Sequence, residues 1–347
     1  MTIDFTQVEI KNLITHHIGN KLRDEKVELS IMESIIDSDT KNLLLRYFLS
    51  SFRMEEWFSF YHPLKIEMNE VYSIVNELFS NPSAFIKSSQ SLSKLLYEQS
   101  VHPKIKEGEL NIVYFSKVIF KDEIVDAIGI FKSEKDIPFI QMRNNKTNFS
   151  INHEFGFELT SMDKGCIILN TEKEDGYRVA IIDKLNKSIE AQYWKDNFLK
   201  VSPINDEYHH TNQFLGITKQ FVTKQLITDF NISKADQIAL LNQSVDYFKS
   251  HESFDREEFE EKVFSDSNMI QSFRQFDDNY RKDNDIELGN KFEISSQAVT
   301  KQSRIFKRVL KLDRNFHIYI HGNKDLIEQG IDEKGRKYYK IYYEEES

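Results

Sequence analysis

One cysteine, five prolines and eleven glycines are all that this 347-residue sequence contains of those types. The single Cys166 excludes an intramolecular disulfide framework and a zinc site built from several thiolates. Within Gly165-Cys166-Ile167-Ile168-Leu169 it reads as an inert thiol in a buried strand. So few glycines disfavour a phosphate-cradling loop, and no Gly-x-x-x-x-Gly-Lys-Ser/Thr, Gly-x-Ser-x-Gly or His-Glu-x-x-His motif occurs. No apolar run approaches the roughly 18 residues of a membrane span. Met1-Thr2-Ile3-Asp4 opens without the basic and apolar segments of a signal peptide, so a cytoplasmic protein with no membrane partner is expected. Positive charge is also in the minority: 46 Lys and Arg against 56 Asp and Glu give a net charge of −10. A general DNA coat should be basic, because phosphate neutralisation drives such binding. Any polyanion must therefore meet a local basic surface.

Apolar and aromatic residues are plentiful. Hydrophobic residues make up 39%, with 27 Phe and 15 Tyr, enough for a packed core. The length suggests two lobes, and Pro203 with the polar stretch 205–212 marks a boundary, giving units 1–203 and 204–347. In the first unit, β-branched alternation over 7–18 predicts a strand, with a short second one near 27–29. Leu43, Leu44, Tyr47, Phe48 and Phe52 fall at helical spacing, and further helices are predicted over 66–80 and 83–99. Six strand-like runs follow between 111 and 182, separated by turn residues. They predict an antiparallel meander backed by the helices. The second unit returns to helical spacing, with Ser233-Lys234-Ala235-Asp236 as a capping box carrying Asp in place of Glu or Gln. A helix over 297–311, a strand over 316–321 and a hairpin of 327–331 with 337–343 close the chain. The fold class read from these patterns is α+β: a helix-backed antiparallel sheet lobe, then a helical lobe with a small C-terminal β unit.

The second half carries a charge dipole. Residues 251–290 hold 12 acidic against five Lys and Arg (net −7), and 291–324 hold eight Lys and Arg against two acidic residues (net +6). On the 297–311 helix, Lys301, Arg304, Arg308 and Lys311 share one stripe beside the apolar Ala298, Ile305, Val309 and Leu312. Lys301, Arg304, Lys307, Arg308, Lys311 and Arg314 are therefore the candidate phosphate contacts, without base readout. The competing reading pairs this stripe with the acidic lobe before it. A secondary basic surface is drawn from Lys11, Lys21 and Arg23 near the start and Arg336, Lys337 and Lys340 near the end. The last three interleave with tyrosines able to stack on bases.

Metal chemistry finds little support. His16 and His17 are neighbours on a strand and point to opposite faces, and His209 and His210 stand about 100° apart on a helix. Asp126 with Lys132, and Glu260-Glu261-Lys262, resemble a metal-dependent nuclease grouping only in composition. Asp283-Asn284-Asp285-Ile286-Glu287 lacks the glycine and closing glutamate of a calcium loop. No catalytic residue, metal site or cofactor is assigned.

Several segments carry a family resemblance. Ile14-Thr15-His16-His17-Ile18-Gly19-Asn20-Lys21 leading to Leu29-Ser30 resembles the opening of the NdpA-type (YejK-like) nucleoid-associated proteins. The stretches 115–131, 165–184 and 301–322, and the closing Gly330-Ile331-Asp332-Glu333-Lys334-Gly335-Arg336-Lys337-Tyr338-Tyr339, are similar to it as well. The resemblance implies a nucleoid location, association with DNA, and contact with chromosome enzymes such as a type II topoisomerase. It supplies no catalytic motif. The expected function is non-catalytic, non-specific binding of double-stranded DNA, with homo-oligomerisation an option. The alternative is an adaptor docked through the acidic 252–287 region, and a metal-dependent nuclease ranks below both.

Overall fold

The computed structural model describes residues 3–52, 56–160, 162–183, 193–230, 232–306, 309–312, 315–319, 326–343 and 345. Two compact units divide the chain at Ile204 and Asn205.

The first unit is built on an antiparallel sheet. Its strands are β1 (Ile3–Asp4), β2 (Glu9–Ile18), β3 (Val27–Glu28), β4 (Phe58–Phe60), β5 (Gly108–Phe120), β6 (Glu123–Ser133), β9 (Lys164–Leu169), β10 (Arg178–Asp183) and β11 (Val201–Pro203). The order is β11-β4-β10-β9-β6-β5-β2-β3, with β1 on β5. β7 (Ile137–Asn144) and β8 (Phe149–Gly156) pair with each other outside this sheet, while β6 pairs directly with β9. Two of the six strand-like runs predicted between 111 and 182, those at 138–142 and 149–159, thus form a hairpin excursion from the meander rather than part of it.

Helices cover both faces of the sheet. Alternate residues of a strand point to opposite sides, and both sets here are apolar. Val113, Phe115, Phe131, Ile167 and Leu169 meet Tyr47, Phe48 and Leu49 of α1 (Ser38–Leu49). Ile112, Ile128, Ile130, Cys166 and Ile168 meet α2 (Glu70–Ser80) and α3 (Phe85–Gln99). Phe48 stacks on Phe131 with centroids 4.5 Å apart. At Gly129 a Cβ would lie 2.3 Å from the Phe131 ring and 2.7 Å from Phe115, so only glycine fits beneath these rings. Burial on both faces explains why these strands read as continuous apolar runs. Cys166 sits in the interior, where burial raises the pKa of its thiol.

One end of the sheet places charge inside. Lys132 and Lys164 face each other on β6 and β9, both essentially inaccessible. Glu134 lies between them, accepting from Lys132 Nζ at 3.0 Å and from Lys164 Nζ at 3.2 Å. Lys132 Nζ also donates to the Lys106 carbonyl at 2.6 Å, and the Tyr193 hydroxyl donates to Glu134 at 3.2 Å. Burial pulls the Lys132 pKa down and Glu134 opposes the pull.

His16 points into the α3 side, where its Nδ1 accepts from the Ser30 amide at 3.0 Å. Its Nε2 lies 3.0 Å from Ser89 Oγ, itself a donor to the Ile86 carbonyl, so Nε2 carries the proton and the imidazole is neutral. Burial lowers its pKa from 6.5 to about 4. The neighbouring His17 lies by Glu107 and Glu109, at 3.5 and 3.7 Å.

The second unit packs phenylalanines. Its helices are α4 (Glu207–Gln220), α5 (Leu226–Phe230), α6 (Lys234–Ser250), α7 (Arg256–Val263), α8 (Ser267–Asp283) and α9 (Ser296–Ile305). They enclose Phe214, Phe221, Phe248, Phe259 and Phe273. Phe254 and Phe292 stack at 4.6 Å where β12 (Ser253–Asp255) pairs with β13 (Lys291–Glu293). The Ser233 capping box forms with Asp236 in the acidic position, opening α6. After α9 come two hairpins, β14 (Val309–Leu312) with β15 (Phe316–Tyr319) and β16 (Ile327–Ile331) with β17 (Lys337–Ile341). The second turns through Gly335 at φ +78°, a left-handed position that suits glycine.

Two results are expected from these buried groups. Glu134→Ala removes the carboxylate that the two buried lysines share, leaving Lys164 with Asp183 at 3.8 Å and Lys132 with the Lys106 carbonyl. It should cost about 3–5 kcal/mol in urea unfolding, whereas Lys11→Ala, at an exposed pair, should cost about 1 kcal/mol or less. Equal small costs would contradict the buried cluster. For His16 the folded pKa lies below the unfolded one, so the unfolded chain takes up the extra proton between pH 6.5 and about 4. The contribution is complete above pH 6.5 and falls as pH drops through that window, by up to about 3 kcal/mol. The stability gap between wild type and His16→Gln should shrink from pH 7 to pH 4.5; a constant gap would mean that the imidazole is not held neutral.

Candidate nucleic-acid interface

The predicted basic helix is shorter than its charge pattern suggests. α9 ends at Ile305, Phe306 is extended, and Lys311 lies in β14, where it pairs with His317. The reason lies in the residues beyond 308. Val309-Leu310-Lys311-Leu312 alternates and finds a strand partner in 316–319, and Leu312 and Ile318 pack on Ile238 of α6. Strand pairing and that contact outweigh continuation of the helix. One helical stripe from Lys301 to Lys311 therefore does not form: Lys301 and Arg304 lie on the helix and Lys311 on a strand.

Lys301 and Arg304 sit on the last turns of α9, where the negative end of the helix dipole favours cations. Arg304 is exposed. Lys301 is half-buried, its Nζ donating to the Tyr208 hydroxyl at 2.9 Å and lying 5.4 Å from the centre of that ring. Lys219 of α4 reaches the same helix end, 6.0 Å from the Phe306 ring centre. Sequence reasoning missed it, since nothing local links residue 219 to residue 306. Lys307, Arg308 and Arg314, and the side chain of Lys311, lie outside the described residues.

The secondary basic surface divides. Lys11 contacts Glu9 at 2.7 Å, Lys21 pairs with Glu98, and Arg23 pairs with Glu25 at 2.8 Å. Lys11 and Lys117 together hold the Glu9 carboxyl at about 2. Lys11 and Lys21 also flank most of β2, roughly 25 Å of strand, so they do not form one patch. Arg336, Lys337 and Lys340 fare differently. Arg336 is held by Asp332 at 2.8 Å, while Lys337 and Lys340 are exposed on β17, Lys340 lying 3.8 Å from Glu328 of β16. Tyr338 and Tyr342 flank Lys340 on one face and are exposed, and Lys340 Nζ lies 4.7 Å from the centre of the Tyr342 ring. Tyr339 faces the other way and packs near Ile238. Thus α9 and both hairpins are anchored on α6.

The acidic lobe neutralises much of its own charge. Arg256 bridges Glu260 and Asp277, each at 2.9 Å. Arg274 meets Glu260 at 2.6 Å, and Arg281 meets Asp277 at 2.6 Å. Both carboxylates are inaccessible, and burial raises the Asp277 pKa against the pull of Arg281 and Arg256. Among the described residues, the ion pair that joins the acidic stretch to the basic one is Asp255 with Lys291, at 2.7 Å. An open cleft of about 560 Å³ beside it is lined by Arg256, Arg274 and Lys291 and by Asp255, Glu257 and Asp278. Another, of about 350 Å³ in the first unit, includes Arg23 and Lys106 with Glu107, Glu109 and Asp136. Both mix the two signs, so neither focuses a field on an anion.

The nuclease grouping does not assemble. Asp126 accepts from the Tyr114 hydroxyl at 2.7 Å, whereas Lys132 belongs to the buried cluster around Glu134. Among the described residues, no three His, Cys, Asp or Glu converge as a metal site would require. No described helix is long and apolar enough to cross a membrane.

Residues 14–346 match the family described as nucleoid-associated protein YejK. The chain belongs to that family. Membership gives it a nucleoid-associated role and a nucleoid, hence cytoplasmic, location within a family that is generally non-enzymatic. No curated protein matches the chain.

Proposed function

We propose that this nucleoid-associated chain contacts double-stranded DNA directly, without catalysis or base readout, through the cations of its second unit. The observation that carries this is the net charge of +6 over residues 291–324 in a chain whose total is −10. The acidic stretch before it holds cations of its own in Arg256, Arg274 and Arg281, leaving the basic stretch less compensated. Lys301, Arg304, Lys307, Arg308, Lys311 and Arg314 are the proposed phosphate contacts. Lys337 and Lys340 extend the surface, and the exposed Tyr338 and Tyr342 give it flat apolar area. Released counterions supply the affinity.

The overall acidity favours a second reading, an adaptor held to the nucleoid by a protein such as a type II topoisomerase through the 252–287 region. Exposed carboxylates such as Asp278 would form that face.

Fluorescence anisotropy of a labelled duplex across a salt series, with and without magnesium, separates the two. Direct contact should give a log–log slope of about −0.9 per phosphate engaged, with the duplex left intact in magnesium. Arg304→Ala should reduce the slope by about one, and Lys21→Ala should leave it unchanged. Absence of binding at low salt would overturn the direct reading in favour of the adaptor.

A further inference from the structure

The β7–β8 hairpin leaves the sheet between β6 and β9 and carries an uncovered apolar face. Its register pairs Ile140 with His153 and Met142 with Ile151, which puts Ile140, Met142, Phe149, Ile151 and Phe155 on one side. These five side chains are between 60% and 67% exposed. None of the eight positions on that side is Asp, Glu, Lys or Arg, whereas Arg143 and Glu154 lie on the opposite side. The hairpin's base is fixed. Asp163 Oδ2 accepts from the amides of Glu134 at 2.8 Å and Lys135 at 3.1 Å, and Phe157 stacks on Tyr47 at 6.1 Å. Two isolated strands are marginal in water, and an apolar patch of this size exceeds the norm for a monomer, about 300–600 Å².

We propose that this face is a homodimer interface, with two copies stacking their hairpins face to face about a two-fold axis. The area fits. The five side chains leave roughly 700 Å² uncovered, so two copies would bury about 1,400 Å², within the range of about 1,200–2,000 Å² for specific interfaces. The composition fits as well. Homodimer interfaces are more apolar than those with transient partners, and a face without charge lets two copies of net charge −10 meet without like-charge opposition. An apolar patch is also self-complementary, as an isologous contact requires. DNA would find no cation on it. The inference is independent of the DNA reading and is tested by mass rather than by nucleic-acid binding.

The experiment is light scattering on the full chain, from low micromolar to about 100 µM, where a dimer of even modest affinity is populated. The expected mass is twice 41.1 kDa. Ile140→Glu combined with Ile151→Glu should halve it without altering the circular dichroism spectrum, because both side chains are exposed. Ile124→Glu, at an exposed apolar position on β6, should leave the dimer intact. A wild-type mass of 41.1 kDa throughout would overturn the proposal, as would a dimer that survives the double substitution or one that Ile124→Glu breaks equally. Should the double variant fail to fold, Met142→Cys replaces it. Cys166 is buried, so the new thiol is the reactive one, and it should form a disulfide-linked dimer faster than Ile124→Cys does. Equal rates would contradict the interface.

Discussion

The first unit depends on the direct pairing of β6 with β9. That ladder sets Lys132 beside Lys164 and skips the residues between the two strands. Two lysines side by side in the interior repel each other and lose hydration, so the pairing rests on Glu134 between them, with Asp183 3.8 Å from Lys164 as a second carboxylate. The skipped segment then has nowhere to go but outward, and β7–β8 emerges as a separate hairpin. The sheet closed across it packs α1 on one face and α2 with α3 on the other.

The proposed DNA contact raises a different problem, how an acidic chain would approach a polyanion. Net charge at long range works against the encounter, but screening shrinks that effect to about 8 Å at physiological salt. Within that distance the local arrangement decides. Glu260 and Asp277 are buried against three arginines and present little field to the outside. The cations at the end of α9 and on β17 belong to elements that share α6 as their support.

How much of this was legible in the sequence follows from the range of the interactions. Strand alternation over 9–18, the helices over 70–80 and 85–99, the Ser233 cap and the turn at Gly335 are local, and periodicity and short motifs revealed them. The family resemblance was legible for the same reason, since contiguous motifs carried it. The end of the basic helix was not, because Val309–Leu312 changes state only when 316–319 and Ile238 are present. Lys21 looked like a free cation until Glu98, 77 residues away, came alongside. Lys132 and Lys164, separated by 32 positions, gave no hint of sharing one carboxylate. The β7–β8 runs read as sheet strands because alternation reports an apolar face without saying what covers it.

The claim on which the functional account rests is that DNA meets the second unit through its basic region. Mass-spectrometric footprinting of lysine acetylation on the full chain, with and without duplex DNA, reads this most directly. Direct contact requires that DNA protect Lys307, Lys311, Lys337 and Lys340 while Lys11 and Lys21 keep their reactivity. Protection confined to Lys11 and Lys21, or no protection at any lysine at low salt, would contradict it.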